Sequence, residues 1–332
     1  MTLISLFKQS NKDKNHLLIY GTNDLLNNYI MTDFVKQKQF SNYDLTYVDV
    51  LESGIDGLIA TMSESSLFSL QRLIIVKNPI FLSTKFVVKD SKQLEKLKQL
   101  IDNLSILDDL IVFVANYEKI DKRKAIVKLL IKNVNVVETN FKAQEVAKVL
   151  KSIAAAEKIK FIGDAFTELI KRSDNVFSLA LNNYLKLKNI VEGKEILPEV
   201  VKSNIDQSLS ENVFEIMTAI FNKNYVEANR RLDEQINNGL TPIALLAIFE
   251  SQLEFLLCVK ILQKRGWVKD QIVDELDANP YRIYYALNNR LDITRLKQSI
   301  KYAIKLDYGY KNGTYTGESF LKVYLLTLMH LT

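Results

Sequence analysis

The residues most able to do chemistry follow a short apolar run that ends at Tyr20. A strand, a glycine and then a helix is the arrangement in which a P-loop, GxxxxGK followed by Ser or Thr, binds nucleotide phosphates. Here the segment from Gly21 to Asn28 reads GTNDLLNN. It lacks the second glycine, the lysine that contacts the terminal phosphates and the hydroxyl that holds Mg²⁺. Asp24 adds negative charge where a phosphate would lie. We expect a degenerate P-loop position that holds no nucleotide, formed by Gly21, Thr22, Asn23 and Asp24.

The other candidate catalytic groups form no constellation in the sequence. Asp108 and Asp109 precede a predicted strand, whereas the acids of a magnesium-binding strand would follow its carboxyl end, so we expect them in an exposed turn. His16 and His330 lie in no His, Cys or Asp cluster, which argues against a zinc site or a histidine-based triad. Cys258 lies in an apolar helical run and is expected in the core. The sequence thus predicts no catalytic residue, no metal and no cofactor.

Composition indicates a globular protein with hydrophobic cores of ordinary size. Of the 332 residues 48% are hydrophobic, and only 10 are Gly and 4 are Pro, which argues against disorder and all-β sandwiches. There is no uninterrupted apolar run of the ~18–20 residues that a membrane span needs, and residues 1–14 lack the apolar core of a signal peptide. The single cysteine excludes an internal disulfide framework. We expect a cytoplasmic protein with no membrane partner.

The first 140 residues alternate short apolar runs with helical patterns. Apolar residues recur at helical spacing between successive runs, as they do at Leu26, Ile30 and Phe34. Strands separated by helices indicate a parallel sheet covered on both faces. The predicted strands cover residues 17–20, 45–50, 73–76, 110–115 and 134–137.

After Asn140 the strand patterns stop and helical patterns continue to the end of the chain. Three helices are predicted up to about residue 208. Beyond it, Thr241-Pro242 and Asn279-Pro280 each place a capping residue before a proline, which is typical of helix starts. We therefore predict α/β plus all-α architecture in three domains: residues 1–140, 141–208 and 209–332.

Five segments, in this order, resemble the delta-subunit family of the bacterial DNA polymerase III clamp loader, within the AAA+ clamp-loader proteins. They are FSLQRLIIVKN (68–78), LIVFVANYEKIDKRKAIVKL (110–129), NVFEIMTAI (212–220), NPYRIYYAL (279–287) and DYGYKNG (307–313). In the last of them Asn312 stands where Thr is usual. The resemblance implies a degenerate AAA+ (RecA-like) parallel-sheet domain, a three-helix lid domain and a C-terminal helical collar that oligomerises.

The resemblance also implies partners and a mode of action. The partners would be the sliding clamp (the beta subunit), the ATPase subunits and the delta-prime subunit of a hetero-pentamer, and primed DNA within that complex. The chain would bind the clamp and promote ring opening without hydrolysing ATP, and any nucleotidyltransferase activity would belong to the holoenzyme. An apolar pair on a short helix enters the clamp in this family, and Leu67-Phe68 matches it. Ser65 stands where a relative can carry an apolar residue, which leaves two anchors.

Alternatives stay open for these contacts. Leu67 and Phe68 would also fit as plugs of the core of their own domain. The basic residues Lys119, Lys122, Arg123, Lys124 and Lys128 can approach DNA phosphates or form a solvated helix face, and the net charge of +5 fits both. Tyr281 and Arg282 follow a helix start and are expected to be structural. The competing functions are a DNA-binding module outside the clamp loader and a diverged NTPase that uses non-standard residues.

Overall fold

The computed structural model describes residues 2–36, 43–64, 71–86, 91–191, 193–207, 209–276, 278 and 280–331. The chain separates into two units. The first contains residues 1–141 and 149–159, and the second contains residues 142–148 and 160–332. The division into three domains at residues 140 and 208 stays a prediction.

The first unit is built on a six-stranded sheet. Its strands are β1 (Lys8–Ser10), β2 (Leu17–Tyr20), β3 (Asp44–Asp49), β4 (Arg72–Lys77), β5 (Leu110–Ala115) and β6 (Asn135–Glu138). They are ordered β1-β6-β2-β5-β4-β3, with β1 antiparallel to β6 and every other pair parallel. All residues of β2 and β5 are buried, as expected of a parallel sheet covered on both faces. The predicted α/β class is confirmed, whereas β1 has no apolar pattern and is missing from the prediction.

Helices connect the parallel strands at the predicted positions. They are α1 (Asp24–Val35), α2 (Val50–Ser63), α3 (Ser91–Asp102) and α4 (Ala125–Asn133), and α5 (Val146–Ala156) follows β6. Gly54 interrupts α2 at φ 71°, a left-handed conformation that glycine adopts without steric cost. Val50, predicted as the end of a strand, begins α2 instead, because the Asp49 carboxylate caps this helix by accepting the Leu51 N–H at 2.9 Å.

His16 is buried just before β2 and joins neighbouring parts of the first unit. Its Nδ1 accepts the Ile111 N–H at 3.2 Å, so Nε2 carries the proton and donates to the Leu104 carbonyl at 2.7 Å. Burial lowers the pKa of His16 below its ordinary value of 6.5, because the imidazolium would lose its water. The folded state therefore favours the neutral ring.

We expect His16 to make the chain less stable in mild acid. The contribution of the neutral His16 ring to the free energy of unfolding is complete above about pH 6.5, the pKa of histidine in the unfolded chain. It is lost as the pH falls toward the lowered pKa of the folded state, and each unit of difference between the two pKa values corresponds to about 1.4 kcal/mol. Urea unfolding at several pH values should show a smaller loss between about pH 7.5 and 5.5 in His16→Asn than in the wild type. His330→Asn, which changes the exposed histidine of the chain, is the control and should behave as the wild type. An equal loss in wild type and His16→Asn would contradict this account.

The second unit is mainly helical. Its helices are α6 (Ala165–Arg172), α7 (Phe177–Ile190), α8 (Pro198–Asn204), α9 (Leu209–Phe221), α10 (Tyr225–Asn237), α11 (Pro242–Lys264), α12 (Lys269–Leu276), α13 (Pro280–Asn288), α14 (Ile293–Lys311) and α15 (Ser319–Leu331). The expectation that strands stop after Asn140 is wrong, because β7 (Lys160–Phe161) pairs in parallel with β8 (Glu195–Ile196). Two residues are too few to show an alternating pattern. Helix α8, with Pro198 in its first turn, is also additional to the predicted helices.

Helix α11 forms the centre of the second unit and starts at Thr241-Pro242 as predicted. Its length and hydropathy would also suit a membrane span, but it packs against α9, α13 and α14, and we take it as a core helix. Its buried residues are Leu245, Leu246, Phe249, Gln252, Leu253, Leu256 and Val259. Cys258, expected in the core, is exposed. That expectation is wrong because α11 is apolar around most of its circumference, so composition does not distinguish its two faces.

Arg282 lies inside the second unit, as expected of a structural residue. Its guanidinium is 4.3 Å from the centre of the Phe255 ring, and its Nη2 donates to Gln252 Oε1 at 3.2 Å. Asn279 and the side chain of Tyr281 are outside the described part of the chain.

Candidate functional site

The degenerate P-loop position lies where β2, β5 and β6 end. β5 and β6 lie on opposite sides of β2, so the strand order reverses there, which is where ligands bind in open α/β sheets. Gly21 N–H donates to the Ala115 carbonyl at 3.2 Å. A Cβ on Gly21 would lie 2.0 Å from Thr139 Oγ1, so only glycine fits. The backbone at Gly21 therefore lies in close contact with Thr139.

Asn27 fills this position with its own hydrogen bonds. Counting from Gly21, it stands where a P-loop has its lysine, and it is fully buried. Its Nδ2 donates to the Gly21 carbonyl at 3.0 Å and to Asn116 Oδ1 at 2.9 Å. Its Oδ1 accepts the Thr139 hydroxyl at 2.6 Å. The side chain thus ties α1 to the carboxyl ends of β5 and β6 and supplies no cation for a phosphate.

The first turn of α1 is likewise occupied by protein groups. Asn23 Oδ1 accepts the Leu26 N–H at 2.9 Å, which caps the helix. Asp24 Oδ1 accepts from Asn116 Nδ2 at 2.6 Å and from Asn28 Nδ2 at 2.7 Å. A helix N-terminus attracts anions, and here the Asp24 carboxylate already satisfies that preference. The arrangement opposes phosphate binding by both charge and geometry.

We expect Asn27→Ala to destabilise the first unit. The change removes three hydrogen bonds and leaves buried partners unsatisfied, at a cost of about 2–4 kcal/mol. Asn28 is the next residue and its side chain is partly exposed, so Asn28→Ala should lower the free energy of unfolding by less than about 1 kcal/mol. Urea unfolding of the two variants measures the difference. Equal small losses would show that the Asn27 network contributes little to folding.

The predicted clamp contacts Leu67, Phe68 and Ser65 lie outside the described residues, which resume at Gln71 after a gap at residues 65–70. Both flanks of this segment are fixed by Arg72. Its Nη2 donates to the carbonyl of Glu64, the residue after α2, at 2.5 Å.

Arg72 is in turn held by Asp109 across the β4–β5 edge. The Nε donates to both carboxylate oxygens at 3.2 Å, and Nη2 lies 2.5 Å from Oδ2. Only 8% of the Arg72 side chain and 15% of the Asp109 side chain are accessible, and these hydrogen bonds raise the pKa of Arg72. The expectation of an exposed acidic turn therefore holds for Asp108 and is wrong for Asp109, because β4 and β5 bring an arginine beside it.

The predicted basic group splits into exposed and internal members. Lys122, Arg123 and Lys128 are exposed, and Arg123 pairs with Asp121 at 2.9 Å. This ion pair lowers the pKa of Asp121. Lys124 differs from the prediction: its Nζ donates to the carbonyls of Ser83 at 2.6 Å and Phe86 at 2.8 Å.

Three exposed lysines of the basic group differ in their partners. Lys119 pairs with Glu118 at 3.6 Å, whereas Lys122 and Lys128 form no ion pair within the residues that the structure describes. Over the same residues, no three His, Cys, Asp or Glu side chains are placed to share a metal ion.

Comparison with protein families covers most of the chain. The family model described as DNA polymerase III, delta subunit, matches residues 13–140. The model described as DNA polymerase III delta subunit, C-terminal domain, matches residues 210–328. The chain belongs to the DNA polymerase III delta-subunit family. The first match contains the degenerate P-loop position, segment 65–70 and the exposed basic residues, and the second contains helices α10 to α14 in full.

Two curated members of the delta-subunit family are similar over most of their length. The DNA polymerase III subunit delta of Bacillus subtilis (strain 168) is 26% identical over 308 residues, which are 89% of this chain and 86% of the relative. The probable DNA polymerase III subunit delta of Aquifex aeolicus (strain VF5) is 24% identical over 289 residues, 82% of this chain and 81% of the relative. The resemblance inferred from five segments is confirmed.

A solved delta structure shares the fold. The Bacillus subtilis DNA clamp loader delta protein superposes with a TM-score of 0.67 at 24% identity, over 95% of each chain. The degenerate AAA+ sheet followed by helical domains, predicted as the fold class, agrees with this match.

Three residues that shape these sites were not predicted from the sequence of this delta-subunit family member. Asn27 and Thr139 lie at the degenerate P-loop position, and Arg72 lies beside segment 65–70. Counting along the P-loop pattern could have identified Asn27 as the replacement of the lysine. Arg72 and Asp109 each precede an apolar strand, and adjacent parallel strands in register would have placed them together. Leu73 does pair with Leu110. No local signal points to Thr139.

Proposed function

We propose that this clamp-loader delta-family protein binds the sliding clamp through Leu67 and Phe68 and favours the open ring, without hydrolysing ATP itself. The observation that supports this most is Asn27, whose amide occupies the lysine position of the P-loop with hydrogen bonds inside the fold. At this position the described residues offer no cation for a phosphate, which fits a family member that contributes to loading by binding. The hydrogen bond between Arg72 and Glu64 fixes both flanks of segment 65–70, which supports this segment as the contact with the clamp. A segment with fixed ends loses less conformational entropy on binding than one with free ends.

The proposed mechanism is mechanical. The chain can favour an open clamp only by the difference between its affinities for the open and closed rings. Neighbouring ATPase subunits would control when the Leu67-Phe68 segment reaches the clamp. We assign clamp binding to residues 1–140, a lid to residues 141–208 and assembly with the ATPase and delta-prime subunits to residues 209–332, in a bacterial cytoplasm.

Contact with primed DNA inside the loader is part of this proposal. Lys122, Arg123 and Lys128 are the residues we assign to it, because all three are exposed. We leave Lys124 out, because its ammonium group is engaged by two backbone carbonyls. A DNA-binding module outside the loader would show strong salt-dependent DNA affinity and no clamp binding. A diverged NTPase would be stabilised by ATP and Mg²⁺ in a thermal-shift assay.

Ring opening can be measured directly on the clamp. Two fluorophores placed across one ring interface report its separation by energy transfer. Adding the purified chain in excess should lower the transfer efficiency without ATP. An unchanged transfer efficiency at a saturating concentration of the chain would contradict ring opening. A decrease that occurs only when ATP is added, with no other loader subunit present, would support a diverged NTPase.

A further inference from the structure

One face of helix α14 carries three lysines and two apolar side chains. Lys297, Lys301, Ile304, Lys305 and Tyr308 lie within one arc of the helix and are all exposed, with 56% of Ile304 and 71% of Tyr308 accessible. We call these five residues the α14 stripe. The opposite face packs into the second unit through Leu296, Ser299, Ala303, Leu306 and Gly309. The stripe is therefore held on a rigid element and makes no contribution to the core.

The three lysines of the α14 stripe differ from the acids around them in their contacts. Within the described ranges of the chain, Lys297, Lys301 and Lys305 form no ion pair or side-chain hydrogen bond. The two acids of this region are already engaged. Asp292 caps α14 by accepting the Arg295 N–H at 2.8 Å, and Asp307 accepts from Lys311 Nζ at 2.7 Å.

The segment that carries this stripe has a local excess of positive charge. Residues 290–312 contain six Lys or Arg and two Asp, a net charge of +4. A local excess of one sign attracts partners of the opposite sign. Lys297, Lys301 and Lys305 follow one another every four residues, which places them about 6 Å apart along the helix axis. Neighbouring phosphates on an extended single strand have a similar separation.

We propose that the α14 stripe binds single-stranded nucleic acid, with the three lysines on successive phosphates and the Tyr308 ring stacked on a base. Exposed aromatic rings beside cations are the usual platform for single strands, because every base has a face that can stack. Ile304 would add apolar contact with the same base or sugar. This site is separate from segment 65–70 and from Lys122, Arg123 and Lys128, and it does not rest on clamp binding.

The test is fluorescence anisotropy of a labelled oligothymidylate with the full chain at several salt concentrations. Lys297→Gln/Lys301→Gln/Lys305→Gln should reduce the slope of log affinity against log salt by about 2, because each single-strand phosphate contact contributes about 0.7. The control Lys194→Gln/Lys223→Gln/Lys264→Gln removes the same charge from exposed lysines of the second unit and should keep the wild-type slope.

Tyr308→Ala should lower the affinity about 5- to 100-fold and leave the salt slope unchanged. Equal slopes in the stripe and control variants would overturn the proposal. A second outcome would also overturn it: polyglutamate competes as strongly as unlabelled oligothymidylate, and Tyr308→Ala keeps full affinity. That result would assign the α14 stripe to an acidic protein partner. Leu67→Ala/Phe68→Ala should bind the oligonucleotide as the wild type does, so a failure of the clamp proposal leaves this result readable. Lys122→Gln/Arg123→Gln/Lys128→Gln should keep the stripe-dependent part of the slope.

Discussion

Replacing Leu67 and Phe68 by alanine is expected to weaken clamp binding roughly 30- to 1000-fold, which corresponds to about 2–4 kcal/mol. Burying both side chains in a clamp pocket would contribute about 3–5 kcal/mol before the costs of association. Alanine retains only part of that apolar surface. Isothermal titration calorimetry with the purified clamp measures the loss.

Leu51→Ala/Ile106→Ala is the matched control for this prediction. These residues are 69% and 76% accessible and belong to the same unit, so the change removes similar apolar surface elsewhere. It should leave clamp affinity unchanged. Ser65→Leu, which adds a third apolar residue to the segment, should tighten binding.

Two results would decide against this assignment. If Leu67→Ala/Phe68→Ala kept full affinity and an intact fold, the contact would lie elsewhere. If the same variant lowered the free energy of unfolding by several kcal/mol, the side chains would serve the core of their own domain.

Arg72→Met is expected to lower the free energy of unfolding by about 3–5 kcal/mol. The change removes one partner of a buried ion pair and leaves the Asp109 carboxylate uncompensated. Arg72→Met/Asp109→Leu removes both charges and should be less destabilised than Arg72→Met alone. Urea unfolding of the three proteins measures both differences. A double variant as unstable as Arg72→Met would show that the uncompensated charge is not the cause.

Lys119→Met is the control for the Arg72 variants. Lys119 pairs with Glu118 at 3.6 Å, and the two side chains are 84% and 70% accessible, so the change should leave the unfolding free energy close to that of the wild type. Because Arg72 holds Glu64 beside the start of β4, we expect Arg72→Met to weaken clamp binding too.

Local patterns predict most of the sheet but not the contacts between distant residues. The strand at Leu110–Ala115 is apolar throughout, so its place in a covered parallel sheet follows from sequence alone. Arg72 and Asp109 are 37 residues apart and meet only because of the β4–β5 pairing. Short elements were missed for a related reason: β1 and the β7–β8 pair are held by pairing, and their few residues carry no pattern.

The candidate sites show the same limit. The missing lysine of the P-loop could be predicted from the residues after Gly21, but not that Asn27 turns inward to fill the space. Lys124 fits a basic helix face in sequence, yet it precedes the first turn of α4 and reaches the carbonyls of Ser83 and Phe86. The direction of a long side chain depends on tertiary partners that its neighbours in sequence do not reveal.

The most direct test is a titration of purified sliding clamp into this protein with and without ATP and Mg²⁺. Binding of the same affinity under both conditions, and no heat of nucleotide binding to the chain alone, is the predicted result. Absence of clamp binding, or a clamp affinity that depends on nucleotide bound beside Gly21, would contradict a subunit that acts on the clamp by binding alone.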